Sequence, residues 1–267
     1  MSNIPYKFNP VITPLPSITA GTNGIFVSSG ASVISSGIIM SGAYLKNTYT
    51  MRVFSGGTAK GTTIQSGGAC LVSNGGIASD VFVSPGGQLN LSSGGSCKGA
   101  VIMSGNGLSF TSAFIDGATV KNGYISFLEN TTADPSYRYK NITADGGNVI
   151  IKNHCKVNSA NAAANSEIVV ASGGFAENAL ALSGGKFVFA SGGSGMGMKV
   201  SSGGTAVVES GGYLYGALFV SSGGSAIIEF GGTLGGGIVS SGGTLFISQG
   251  ATVENLTSAT GAVIITG

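Results

Sequence analysis

The stretch Val-Ser-Ser-Gly-Gly-Thr-Ala-Val-Val-Glu-Ser-Gly-Gly at 200–212 returns as Val-Ser-Ser-Gly-Gly-Ser-Ala-Ile-Ile-Glu-Phe-Gly-Gly at 220–232. Around this pair, paired or related glycines open at Gly173, Gly184, Gly192, Gly203, Gly211, Gly223, Gly231, Gly242 and Gly250, in steps of 11, 8, 11, 8, 12, 8, 11 and 8. The same alternation runs through Gly56, Gly67, Gly75, Gly86, Gly94 and Gly105. Two steps sum to 19 residues, with a single inserted residue between Gly211 and Gly223. A third marker lies five residues after the glycine that opens the longer arc: Gly42, Gly61, Asp80, Gly99, Asn122, Asn178, Gly197, Gly216, Gly236 and Asn255. These residue types tolerate positive φ. Corners separated by about eight, five and six residues define a three-sided coil, with one repeat forming one turn of a solenoid.

The sides alternate as strands do. On the eight-residue side, the third residue after the opening glycine is Cys70, Leu89, Phe187, Ala206, Ala226 or Leu245, and the fifth is Val72, Leu91, Phe189, Val208, Ile228 or Ile247. The position before them is polar in Gln88, Lys186, Thr205, Ser225 and Thr244, so the period is two and one face turns inward. Ala59, Ala78, Cys97, Ala176, Leu214, Leu234 and Val253 take the inward slot of the second side; Ile64, Val83, Ile102, Val200, Phe219 and Val239 take that of the third. Val207, Ile227 and Phe246 are expected on the outer surface. Glycine recurs too often to sustain helix. The fold class is therefore all-β, a parallel β-helix (β-solenoid) whose coils stack at about 4.8 Å.

Residues 1–20, with Pro5, Pro10, Pro14 and Pro16, read as an N-terminal cap or leader without the apolar core of a signal peptide. Solenoid repeats follow over 21–128. The polar, aromatic segment 129–145 contains Pro135 and is expected to protrude as a loop. Register extrapolated backwards from Gly173 through Asn165 and His154 to Gly146 continues the same stack over 146–267. About twelve coils give a rod of roughly 55–60 Å.

The repeats at 54–68, 200–212 and 220–232 resemble the AIDA-type repeats of bacterial self-associating autotransporter adhesins. The resemblance implies a right-handed solenoid passenger at the bacterial cell surface or secreted, acting in adhesion, self-association, aggregation and biofilm. It also implies sugar on repeat serines. Implied partners are other copies of the chain, or a host or bacterial surface protein or glycan. The chain shows neither a signal peptide nor a translocator barrel, in departure from that pattern.

Chemistry is sparse. Of 267 residues, 48 are glycine and only 8% are charged, and the net charge of +2 is scattered, so neither nucleic acid nor an anionic membrane is an expected partner. No apolar run is long enough to insert in a membrane as a helix. Calcium-binding Gly-rich repeats need an aspartate after the glycines, where this chain has Thr, Ser or Ala. The Thr-x-Thr ladder of ice-binding solenoids does not recur. Glu209 and Glu229 occupy equivalent outward positions and read as solvated rather than as a glycosidase pair. His154 and Cys155 are sequence neighbours and do not form a nucleophilic pair. Cys70 and Cys97 read as small core residues. No catalytic residue, cofactor or metal is expected, and the chain is read as non-enzymatic; a carbohydrate-active β-helix enzyme and a passive spacer are the alternatives. Tyr137, Arg138, Tyr139 and Lys140 at the loop tip carry contact-forming chemistry for a protein or glycan partner.

Overall fold

A computed structural model describes residues 26–27, 31–35, 37, 39–103, 108–110, 113–128 and 139–267. The described chain is a β-solenoid of about 11 turns without helix. Its strands gather into a 17-stranded sheet, which wraps the second and third sides of the coil, and into 5- and 8-stranded sheets that make up the first side. Every strand pairing is parallel, as in Thr205–Val208 against Ser225–Ile228 and the latter against Thr244–Ile247.

The corner at Ser201–Gly204 shows why the repeat has its form. The Gly204 amide donates to the Ser201 carbonyl at 2.9 Å, closing a turn whose third residue, Gly203, has φ +73°. Only a residue without a Cβ adopts that conformation at no steric cost. Gly203 also links coils: the Gly184 amide donates to its carbonyl and its own amide to that of Gly223, each at 2.8 Å. Gly204 is glycine for another reason. Its φ is ordinary, but a Cβ there would sit 2.5 Å from the Ala181 carbonyl oxygen of the preceding coil.

Each coil feeds a continuous core. In the turn from Thr205 to Val220, Ala206, Val208, Leu214, Leu218 and Val220 are all at most 1% exposed. Slot size is traded between coils. The Phe187 and Phe189 rings, 5.2 Å apart, fill space left by Gly195, where a Cβ would strike the Phe189 ring. Thr62, fully buried between rungs carrying Ala43 and Val81, is a polar intrusion, and its hydroxyl, like the buried hydroxyl of Ser32, makes no hydrogen bond.

The structure corrects the sequence reading at several places in the course of the chain. The inserted residue is absorbed as a β-bulge in Tyr213–Val220 opposite Met196–Met198, so Val220 takes the inward slot and Phe219 faces out at 44% exposure. Asn122 belongs to the corner that opens the eight-residue side, where it lies beneath Gly146; Gly117, at φ +79°, holds the third corner of that coil. Gly236, expected at a positive-φ corner, lacks that conformation. Finally, the segment expected to protrude over 129–145 has rejoined the stack by its C-terminal part. Tyr139–Ala144 is a strand with Tyr139, Ile142 and Ala144 buried, and Asn141, at φ +54°, turns its corner. Tyr139 fills an inward slot between Ile115 and Val157, because a tyrosine ring supplies core volume that polar neighbours disguise in sequence. Residues 1–20 and 129–138 lie outside the described residues.

Replacing Gly204 by Ala is expected to destabilise the rod by about 1–3 kcal/mol, the range for a strained or overpacked site, whereas Thr205→Ala next to it changes stability by less than about 1 kcal/mol. Denaturant melts of the two variants read this directly. Equal midpoints for both would contradict the close backbone approach.

Candidate interaction surfaces

With the inward faces committed to the core, function falls to the outward rows and corners. On the first side, register aligns Ile150, Val169, Val188, Val207, Ile227, Phe246 and Ile265 on successive rungs. Phe246 and Ile265 are 38% and 44% exposed. Val207, expected in the open, is only 5% exposed, with Val188 and Ile227 standing one rung away on either side. Val188, in the same row, is 2% exposed.

Other rows are polar. Lys186 pairs with Glu167 at 2.9 Å, and Lys121 with Asp145 at 3.3 Å. On the second side Asn141 Nδ2 donates to Asp116 Oδ1 at 2.7 Å, and Asn158 Nδ2 to Glu177 Oε2 at 3.1 Å. Such half-exposed pairs each contribute about 0–1 kcal/mol and act chiefly to fix register. At the corners, exposed serines stack on glycines. A Cβ at Gly203, Gly223 or Gly242 would lie 2.6–2.7 Å from the hydroxyl of Ser183, Ser202 or Ser222 on the preceding coil.

Of the expected loop-tip residues, Tyr137 and Arg138 lie outside the described residues. Tyr139 is fully buried and cannot present its ring to a partner, while Lys140 is exposed in a row between Asp116 and Asn158. Asn153 and His154 form a corner at φ 52° and 64°; His154 is exposed and Cys155 fully buried, so their side chains point apart. Glu209 and Glu229 stand on adjacent rungs. Among the described residues no group of three or more His, Cys, Asp or Glu side chains converges, and no helix is long and apolar enough to cross a membrane.

One feature was missed in the sequence. At the bulge, Tyr213 and Tyr215 stack with ring centroids 3.9 Å apart, beside Met196 at 43% exposure, and the next coil carries Gly235, Gly236 and Gly237. The signal was present in the one 12-residue step of the glycine rhythm.

No family model and no curated protein matches the chain. Among solved structures, the chain is similar to the TibC-catalysed hyper-glycosylated fragment 55–350 of TibA, with a TM-score of 0.67 and 23% identity over 91% of this chain and 95% of that one. The likeness shows a shared fold.

All three cysteines are buried thiols. Burial pushes the Cys70 thiol up to about 12, with Cys97 nearby adding to it, and burial with Asp80 does the same for Cys97. An ordinary thiol ionises at about 8.5, so at that pH iodoacetamide should leave Cys70 and Cys97 unmodified in the native protein and label both after denaturation. Mass spectrometry showing native labelling at the rate of an exposed thiol would contradict their inward placement.

Proposed function

We propose that this chain is a non-catalytic adhesive stalk, presented at a bacterial cell surface or secreted, whose long first side pairs with another copy and so drives aggregation and biofilm. The observation that carries the reading is the outward apolar row from Ile150 to Ile265, open at Phe246 and Ile265, half-buried at Ile150, Val169 and Ile227, and buried only at Val188 and Val207. The likeness of the rod to an adhesin fragment supports it.

Magnitudes set the mode of action. Seven rungs span about 30 Å and the side is about 16 Å wide, so one face offers about 500 Å². A stable complex uses about 800 Å² per partner. A single pairing is therefore weak, and adhesion comes from many copies on one surface engaging many on another.

Displayed on cells, the chain should cause clumping, and Ile227→Lys with Phe246→Lys should abolish it at equal display, since both side chains lie on the outward face. Clumping that persists in the double variant removes the first side as the adhesive surface. A wild-type chain that never clumps cells is a spacer.

Glycosylation of corner serines is a second part of this reading, favoured by the exposure of Ser183, Ser202, Ser222 and Ser241 on successive coils; the neighbouring TibA fragment is itself hyper-glycosylated. Protein purified from its native host should carry added hexose- or heptose-sized masses on these serines. An unmodified intact mass would exclude this.

A further inference from the structure

The apolar row of the first side carries no register of its own, because a rung that slides past its neighbour still meets an apolar side chain. The columns on either side of the row do carry one. At the start of the side, Glu167 and Lys186 stand on adjacent rungs, paired at 2.9 Å with both side chains partly exposed. At its end, just before the corner, the column runs Lys152, Ala171, Ala190, Glu209. Amides that donate to the preceding coil fix this order: Ala171 to the Ile151 carbonyl at 2.8 Å, Ala190 to that of Val170 at 2.9 Å and Glu209 to that of Phe189 at 3.0 Å. Lys152 and Glu209 are half-buried and stand three rungs apart, about 14 Å. Among the described residues, neither has an ion pair within its own chain.

We propose that these charges select a second copy of this chain in one arrangement: first side against first side, chains antiparallel, with a two-fold axis between the rungs of Val169 and Val188. The inference rests on the pairing of first sides proposed above and supplies its register. A two-fold axis that runs along the strands, in the plane of contact, keeps each column against itself and reverses the order of the rungs. Glu167 then faces the partner's Lys186, and Lys152 faces the partner's Glu209, each contact occurring twice by symmetry. The apolar row closes on itself, Val169 on the partner's Val188 and Ile150 on the partner's Val207. In the end column the two alanines meet, so the chains approach closely there. Every charge on the first side of these four rungs finds an opposite charge. Packed sheets stand about 10 Å apart, a gap that extended Lys and Glu side chains bridge together.

Competing arrangements fail on charge. A slide of one rung sets Lys186 against the partner's Lys186 in one direction and Glu167 against the partner's Glu167 in the other. A slide of two rungs leaves Lys152 opposite the partner's Ser248 or Ala171, neither of them charged. Parallel chains, related by an axis along the rod, exchange the two columns: Lys186 then faces Ala190 and Glu167 faces Ala171, while Lys152 and Glu209 face Asn148 and Thr205. That arrangement brings no opposite charges together across the interface. Like charges in contact and charges covered without a partner are strongly unfavourable, so charge complementarity sets the register that the apolar row leaves open.

The test is complementation between two variants, Lys152→Glu and Glu209→Lys. Each sets like charges together when it meets its own kind. A mixed pair restores both contacts with the signs exchanged at one of them, and the three-rung separation within a chain prevents the same rescue from inside it. The full chain is coupled at equal density to beads of two colours, with circular dichroism reporting the solenoid in each variant. Wild-type beads are expected to clump. Either variant alone should clump at least about tenfold less, and mixing the two should return two-colour clumps to the wild-type extent. A mixture that fails to clump overturns the proposal, as does either variant clumping alone like wild type. If Ile227→Lys with Phe246→Lys abolishes clumping while the charge variants leave it unchanged, the first sides pair in another register: this inference falls and the adhesive surface stands. Wild-type beads that never clump remove both.

Discussion

Among the described residues, every strand inside a sheet finds its hydrogen-bond partners one coil above and one coil below, at a spacing of about 4.8 Å, and that spacing governs the rest of the structure. A coil in isolation has no partner for its backbone and only a few apolar side chains to bury. Stability therefore belongs to the interfaces between coils. The glycine pairs follow from the same spacing. One member turns the chain at positive φ; the other allows a carbonyl of the previous coil to approach where a Cβ would collide, as at Gly203 and Gly204. The core obeys it too, since a large ring on one rung requires a small residue nearby, as with Phe189 and Gly195.

The rhythm of Ser-Gly-Gly made the coil, its three corners and its inward slots legible in sequence, because close backbone approach admits one residue type and so marks itself. The inward alternation at Cys70, Leu89, Phe187 and Leu245 was legible for the same reason: each is fully buried. What misled were residues whose environment depends on local phase. Phe219 was displaced by a bulge whose position within Tyr213–Val220 a 12-residue step does not specify. Tyr139 was hidden by polar neighbours, since asparagine at position 141 can turn a corner as glycine does. Val207 is buried although its register turns it outward, a property set by residues far away in sequence that no window of sequence displays. The outward surface was the least legible part, because outward positions answer to no packing rule.

That freedom gives the surface its functional meaning. A solenoid that satisfies its backbone and core internally can vary its outer rows coil by coil. In this chain the first side accumulates apolar residues, the second alternates Lys, Asp, Asn and Glu, and the bulge gathers tyrosines beside bare glycine. On the function proposed above, weak contacts repeated along a rod, and rods repeated on a surface, would add up to adhesion without a deep pocket. The fold is shared with the TibA fragment, while the particular rows belong to this sequence.

The claim that each coil is held by its neighbours is tested most directly by native-state hydrogen exchange of the whole chain, read strand by strand. Protection is predicted to be uniformly high through the central coils, from Lys156–Ala162 to Ser225–Ile228, and to decline in graded fashion over the last coil, where Ile264 is only partly buried. Central strands exchanging as fast as those of the last coil, or protection confined to isolated strand pairs, would contradict the stack.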